Sequence, residues 1–230
     1  NNINSVIAEI KNHRKSDGTS NVYAIIVEPF SASYLRSCDD AFLKKLKSLC
    51  VENGILLIFD EIYTGWYKTG NRFNFIDSEI VPDILTTSKS LGGGKASISA
   101  YVSTGEVLKK AYGDIKSATL HTTTYNGFGE ECATAIEAIN IMEEENYHQK
   151  SLNIEELTKN RCKKLLEKFG NQIIDCKGKG SLHGIYFRTD SGFGKILSLL
   201  PFSMTSDKKF LSKIISSSIS NWLFKNYKIL

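Results

Sequence analysis

The sequence predicts an α/β fold, a mostly parallel sheet covered by helices on both faces, followed by part of a small α+β domain. Two observations predict it. From residue 22 to about 145, short runs that are apolar throughout alternate with amphipathic helical stretches, and strands of that kind belong to parallel sheets with both faces covered. After about residue 145 the texture changes to one charged helix, two strand candidates and a further helix. The implied organisation is residues 1–145 as part of a large domain and residues 146–230 as part of a small one.

The elements follow in order. "VYAIIVE" (22–28) reads as a buried strand closed by Pro29. "DDAFLKKLKSLCVENG" (39–54) reads as a helix with Asp at its start, Phe42, Leu43, Leu46, Leu49 and Cys50 on one face, and Gly54 as its stop. "ILLIFD" (55–60) is a second buried strand, and "DILTTS" and "SISAYVS" (97–103) are further strands. A short helix "GEVLKKAY" and a long one, "GEECATAIEAINIMEEE" (129–145), come next. A charged helix (about 151–168) leads to strands "NQIIDCK" and "SLHGIYFR", then to a helix from Asp207 with Leu211, Ile215, Ile219, Trp222 and Leu223 along one side.

Composition narrows the function classes. With 41% hydrophobic and 23% charged residues the chain buries a core. Its net charge of +4 is spread along the chain, so charge does not imply nucleic acid. No apolar run approaches the length of a membrane span. The five cysteines are odd in number and lack CxxC spacing, which argues against a disulfide framework or zinc site and fits a reducing cytoplasm.

Ligands of open parallel sheets bind at the carboxyl ends of the strands. The residues there are Glu28, Asp60 with Glu61, and Lys89. Five apolar residues carry the Asp60 carboxylate to the edge of a dry layer, where it either caps the next loop or meets a cationic partner. Lys89 sits among small residues in "PDILTTSKSLGGG" (82–94). It either snorkels outward or is a desolvated amine suited to attack a carbonyl carbon. Glycines 92–94 would let backbone approach a bound group closely. A phosphate loop fails on spacing, since it requires glycine at Lys89 and Ser or Thr at Ala96. Lys95 reads as a surface residue.

Taken together, "IIVEP", "LCVENGILLIFDEIYTGWYKTG", "PDILTTSKSLGGGKASISAYV" and "HTTTYNGFGEECATAIEAI" resemble successive motifs of the class III aminotransferases, pyridoxal phosphate (PLP) enzymes of fold type I. The resemblance is strong over roughly residues 20–145 and weaker beyond, through "GKGSLHGIYF". It implies that Lys89 holds PLP as a Schiff base and shuttles the proton of the reaction. It further implies that Asp60 pairs with the pyridinium nitrogen, Ile62 packs on a ring face, and Thr124 gives its hydroxyl to the cofactor phosphate, usually across a homodimer interface. His121, beside three threonines, reads as a hydrogen-bonded structural residue.

Several positions depart from the family pattern. Tyr63 stands where many members have glutamine, and Phe128 where asparagine is usual. Ser33 lies near the place where members acting on ornithine or γ-aminobutyrate carry a second glutamate. The family's phosphate cup and ring-stacking aromatic are expected upstream of residue 1, and the rest of the small-domain sheet with a carboxylate-binding arginine beyond Leu230. Residues 1–230 therefore read as the middle and later part of a longer enzyme. The functions the resemblance implies are transfer of an amino group from an amine or amino acid to a keto acid, isomerisation as an aminomutase or racemase, or a noncatalytic remnant acting as an interaction module.

Overall fold

In the computed structural model, residues 2–171, 173–188 and 208–228 are described. The chain divides into two units, Asn1–Glu155 with Gly178–Leu182, and Glu156–Lys177 with His183–Leu230. The sequence puts the division at 145/146. In the structure it runs through a helix at 155/156, because the opening turns of that helix belong to the first unit, where Ser151 is buried and Tyr147 packs on Tyr67, Ala138 and Met142.

The first unit opens with α1 (Ile3–Asn12), whose N-terminal amides of Asn4 and Ser5 donate to the Asn2 side chain. Strand β1 (Ala24–Val27) is followed by a two-residue hairpin, β2 (Phe30–Ser31) and β3 (Arg36–Ser37). Helix α2 (Asp40–Asn53) ends at Gly54, which takes the left-handed conformation (φ 63°) open to glycine. Then come β4 (Leu56–Asp60), the single turn α3 (Phe75–Ser78), β5 (Ile84–Thr87), a 3-10 turn (Lys89–Gly92) and β6 (Ala100–Ser103). Helices α4 (Gly105–Tyr112), α5 (Gly129–Glu144) and the start of α6 (Tyr147–Phe169) complete the unit.

The sheet order is β1-β4-β5-β6. Strands β1, β4 and β5 run parallel, with Val27 opposite Phe59 and Asp60 opposite Thr86, while β6 joins β5 antiparallel. Successive side chains of β4 point to opposite faces. Leu57 and Phe59 face inward, where with Leu85 they meet Leu43, Leu46 and Cys50 of α2 and Ile10 of α1. Each such buried aliphatic or aromatic side chain contributes roughly 1.5–3 kcal/mol. The apolar strand "VYAIIVE" reads as buried on both faces, yet Ile26 is 61% exposed. Alternation explains it, since Ile25 and Val27 pack against the α1–α2 core and Ile26 points to the opposite face.

In the second unit, α6 continues to Phe169, β7 (Ile173–Lys179) and β8 (Leu182–Phe187) form a two-stranded sheet, and α7 (Lys208–Tyr227) follows. The turn joining β7 to β8 is counted with the first unit. On α7, Ile219 and Leu223 are half-buried and Trp222 is 55% exposed, its ring edge-on to Tyr227. The expected helix start at Asp207 and the side chains of Leu211 and Ile215 lie outside the described residues. Among the described residues no helix is long and apolar enough to cross a membrane.

Candidate active site

Two parallel strands deliver the two charged groups. Strand β4 ends in Asp60, whose Oδ1 accepts the Ile62 amide at 3.0 Å and the Thr86 hydroxyl of β5 at 3.2 Å. Both bonds fall on one oxygen, so Oδ2 is left for a ligand that brings a donor or a cation. Two residues after β5, Lys89 begins the 3-10 turn with φ 46°. Its ammonium stands 5.6 Å from the centroid of the Tyr63 ring, within reach of a cation–π attraction.

Two cavities of the first unit open around these strand ends. One, of about 990 Å³, is lined by Ile62, Thr86, Ser99, His121 and Thr123 among others. The other, of about 790 Å³, is lined by Lys89, Tyr63, Trp66, Lys68, Tyr147 and Ser181 among others. Ile62 and Lys89 thus face different cavities. Thr124 is exposed on the α4–α5 connection and lines neither, although its neighbours Thr123 and Tyr125 line the first. The His121 ring lies tilted against Tyr101, centroids 6.1 Å apart, and Lys95 is exposed.

The glycine run has a use the sequence did not suggest. A Cβ at Gly93, itself at φ 60°, would stand 2.8 Å from the Ala138 Cβ of α5. The close approach at this position is therefore to a helix, which fixes the Lys89 turn against α5. Gly94, also at positive φ, has open space around its Cβ position.

Glu61 adjoins Asp60 at the end of the same strand. In the structure Glu61 is fully buried and its carboxylate accepts the Asn74 amide at 2.6 Å, the Phe75 amide at 2.8 Å and the Thr64 hydroxyl at 3.0 Å. It therefore fastens the loop after Asp60 to the first turn of α3. Burial pushes its carboxyl above the usual carboxylate range, and the three donors pull it back. The signal available in the sequence was a second carboxylate one residue past a buried strand. Its direction could not be read there.

Trp66 donates its indole N–H to the Thr87 hydroxyl at 2.8 Å, tying the loop to the end of β5. Trp66 and Tyr67 both have positive φ (60° and 66°), an uncommon conformation for aromatic residues. Tyr67 then donates to Glu143 of α5, and Arg72 pairs with the same oxygen at 2.6 Å. The Tyr67 hydroxyl first, and the Arg72 charge after it, hold the Glu143 carboxyl below the ordinary range. Glu28, the other strand-end carboxylate, accepts the Ala32 amide at 2.8 Å and so braces the β2–β3 turn that carries Ser33.

A family model described as Aminotransferase class-III matches residues 1–200. The chain belongs to the class III aminotransferases. Among solved structures it is similar to an ornithine aminotransferase from Toxoplasma gondii ME49, at 26% identity and TM-score 0.71 over 82% of this chain and 42% of that one. It is also similar to an acetylornithine aminotransferase from Elizabethkingia anophelis, at 26% identity and TM-score 0.70 over 86% of this chain and 50% of that one. A Bacillus anthracis aminotransferase matches at 26% identity and TM-score 0.71 over 85% and 44%. This class III chain spans half the length of these relatives or less. Its fold is the PLP-dependent fold type I, and the family's cofactor is pyridoxal phosphate. By residue type, an amine and a carboxylate could hold that group, but Lys89 lines one cavity and Ile62 the other, and Asp60 and Thr124 line neither.

Proposed function

We propose that the protein to which this chain belongs is a PLP-dependent aminotransferase, transferring an amino group from an amine or amino acid donor to a keto acid acceptor. The observation that carries the reading is the placement of Lys89 and Asp60 just past or at the ends of neighbouring parallel strands in a class III chain. When bound, the cofactor supplies an electron-accepting ring that stabilises negative charge on the substrate carbon. Lys89 would hold it and move the proton at that carbon through its side-chain nitrogen. Asp60 would keep the ring nitrogen protonated through its free oxygen, Ile62 would cover one ring face, and the Thr124 hydroxyl would meet the phosphate of a partner subunit's cofactor. The first unit is then part of the large cofactor domain and the second part of the small domain. We extend the proposal to a homodimer in a reducing, cytoplasmic setting, supported by exposed Thr124 and five free thiols.

Two of the solved relatives are named for ornithine or acetylornithine. Ser33, on the turn between β2 and β3, disfavours ornithine and γ-aminobutyrate as donors here. The test is Lys89→Ala and Asp60→Asn in the complete protein. The first variant is expected to lose transamination and the borohydride-reducible absorption of bound PLP, and the second to keep PLP but turn over far more slowly. A reducible chromophore surviving in Lys89→Ala would move the role to another lysine. Stoichiometric consumption of a keto acid separates this reading from an isomerase of the same family, and failure to bind PLP would favour a noncatalytic module.

A further inference from the structure

The cavity of about 790 Å³ that Lys89 lines carries charge of one sign. Its charged groups are Lys68, Lys89 and Lys150, and neither Asp nor Glu lines it among the described residues. Lys150 pairs with Glu145, which lies outside the cavity, and the Lys89 ammonium stands over the Tyr63 ring. Lys68 is half-buried and makes no ion pair among the described residues. A cleft with charge of one sign and low-dielectric walls draws in the counter-ion. The walls here are Trp66, Met142, Tyr147 and Leu182.

The backbone fixes Lys68 beside α6. Its carbonyl oxygen accepts the Ser181 amide at 2.8 Å and the Ser181 hydroxyl at 3.2 Å. Two residues on, the Gly70 carbonyl oxygen lies 3.1 Å from His148 Nδ1, which fastens this stretch to the opening of α6, one turn before Ser151. Ser151 is an independent pointer to a ligand. It lines the same cavity, is 4% exposed, and its Oγ has no hydrogen-bond partner among the described residues. A helical serine can return its hydroxyl to the carbonyl one turn back. This one does not, so a buried donor at the cavity wall is free.

We propose that this cavity binds an organic carboxylate with an aromatic or branched aliphatic body, its acid group held by the Lys68 ammonium and the Ser151 hydroxyl. The cation and the free donor supply charge-assisted hydrogen bonds to the acid, and Trp66, Met142 and Tyr147 cover the body. A volume of about 790 Å³ is in the range of small-molecule sites. Inorganic phosphate would meet the charge and leave the apolar walls uncovered, so the walls favour an organic acid. That the occupant is the substrate of the reaction rests on the proposed function, because Lys89 lines the same cavity; the carboxylate site itself stands on Lys68, Ser151 and the walls.

The experiment titrates the complete protein with phenylpropionate, its uncharged counterpart phenylpropanol, and inorganic phosphate, by isothermal titration calorimetry. The expected result is that the acid binds about tenfold or more tightly than the alcohol, since a hydrogen bond to a charged group is at stake, and more tightly than phosphate. Lys68→Met should weaken the acid about tenfold and leave the alcohol unchanged, and Ser151→Ala should weaken the acid about threefold. Lys68→Arg keeps the charge and should bind within about threefold of the parent. Equal binding of acid and alcohol, phosphate binding as tightly as the acid, or parental affinity in both Lys68→Met and Ser151→Ala would overturn the proposal. If Lys68→Met fails to fold, the acid-to-alcohol ratio in Ser151→Ala and Lys68→Arg decides. Borohydride-reducible absorption is recorded on the same samples. Reducible PLP with no preference for the acid refutes this site and not the proposed function, whereas a preference for the acid without PLP supports the site and refutes that function.

Discussion

Replacing Glu61 by Gln tests whether the loop behind Asp60 is held by one buried carboxylate. The amide keeps the shape but turns one oxygen into a donor. That donor must face a backbone amide of Asn74 or Phe75, both now bonded at 2.6–2.8 Å, or the Thr64 hydroxyl at 3.0 Å. Loss of a bond to a charged group costs about 1.5–3 kcal/mol, and a buried N–H left without an acceptor costs about 1–3 kcal/mol. The gain that offsets them in part is relief from burying a charge, the same burial that displaces the Glu61 pKa upward. The net expectation is a destabilisation of about 2–4 kcal/mol, since two unfavourable changes act together. For a chain of this size that lowers the melting temperature by roughly 4–16 °C. Thermal unfolding followed by circular dichroism at neutral pH measures it, with Thr64→Val as a companion that removes one donor and costs about 1 kcal/mol. If Glu61→Gln melts within about 2 °C of the parent, the carboxylate does not anchor the loop and the reasoning is wrong.

The same residue sets a pH dependence. Because its folded pKa lies above the usual 4.5, the folded chain holds the Glu61 proton more tightly than the unfolded one. Its contribution is complete below pH 4.5 and is lost as pH rises through the folded pKa. Urea titrations from pH 4.5 to neutrality should show the parent losing stability relative to Glu61→Gln, and parallel curves would contradict the sign. Asp83→Ala removes the acceptor of both the Lys47 ammonium (2.8 Å) and the Leu57 amide (2.7 Å), and should cost about 2–4 kcal/mol in denaturant titration. Gly180→Ala should destabilise strongly, because its Cβ would stand 2.4 Å from the Lys68 carbonyl oxygen at φ 58°, and backbone there must shift. Glu143→Gln, by contrast, should change stability by about 1 kcal/mol or less on the same assay, since its pairing with Arg72 is nearly half exposed.

The sequence by itself determined the alternation of strands and helices, because burial periodicity is a local record of which side chains must leave water. It located α2 and its glycine stop, the strand ending in Asp60 and the lysine after β5, and four ordered motifs were sufficient to indicate the family before any coordinates. Those features are legible because each depends on neighbours within a few residues. Glu61 and Gly93 were not, since their partners Asn74, Phe75 and Ala138 lie 13 to 45 positions away and are chosen by how the chain returns on itself. The exposure of Ile26 was hidden for a related reason: an apolar strand looks the same whether one face or both are covered, and only the packing of α1 and α2 beside Ile25 and Val27 distinguishes them. The assignment of Ile62 and Lys89 to separate cavities is likewise a property of the tertiary structure, in which side chains on successive loops diverge after leaving adjacent strands.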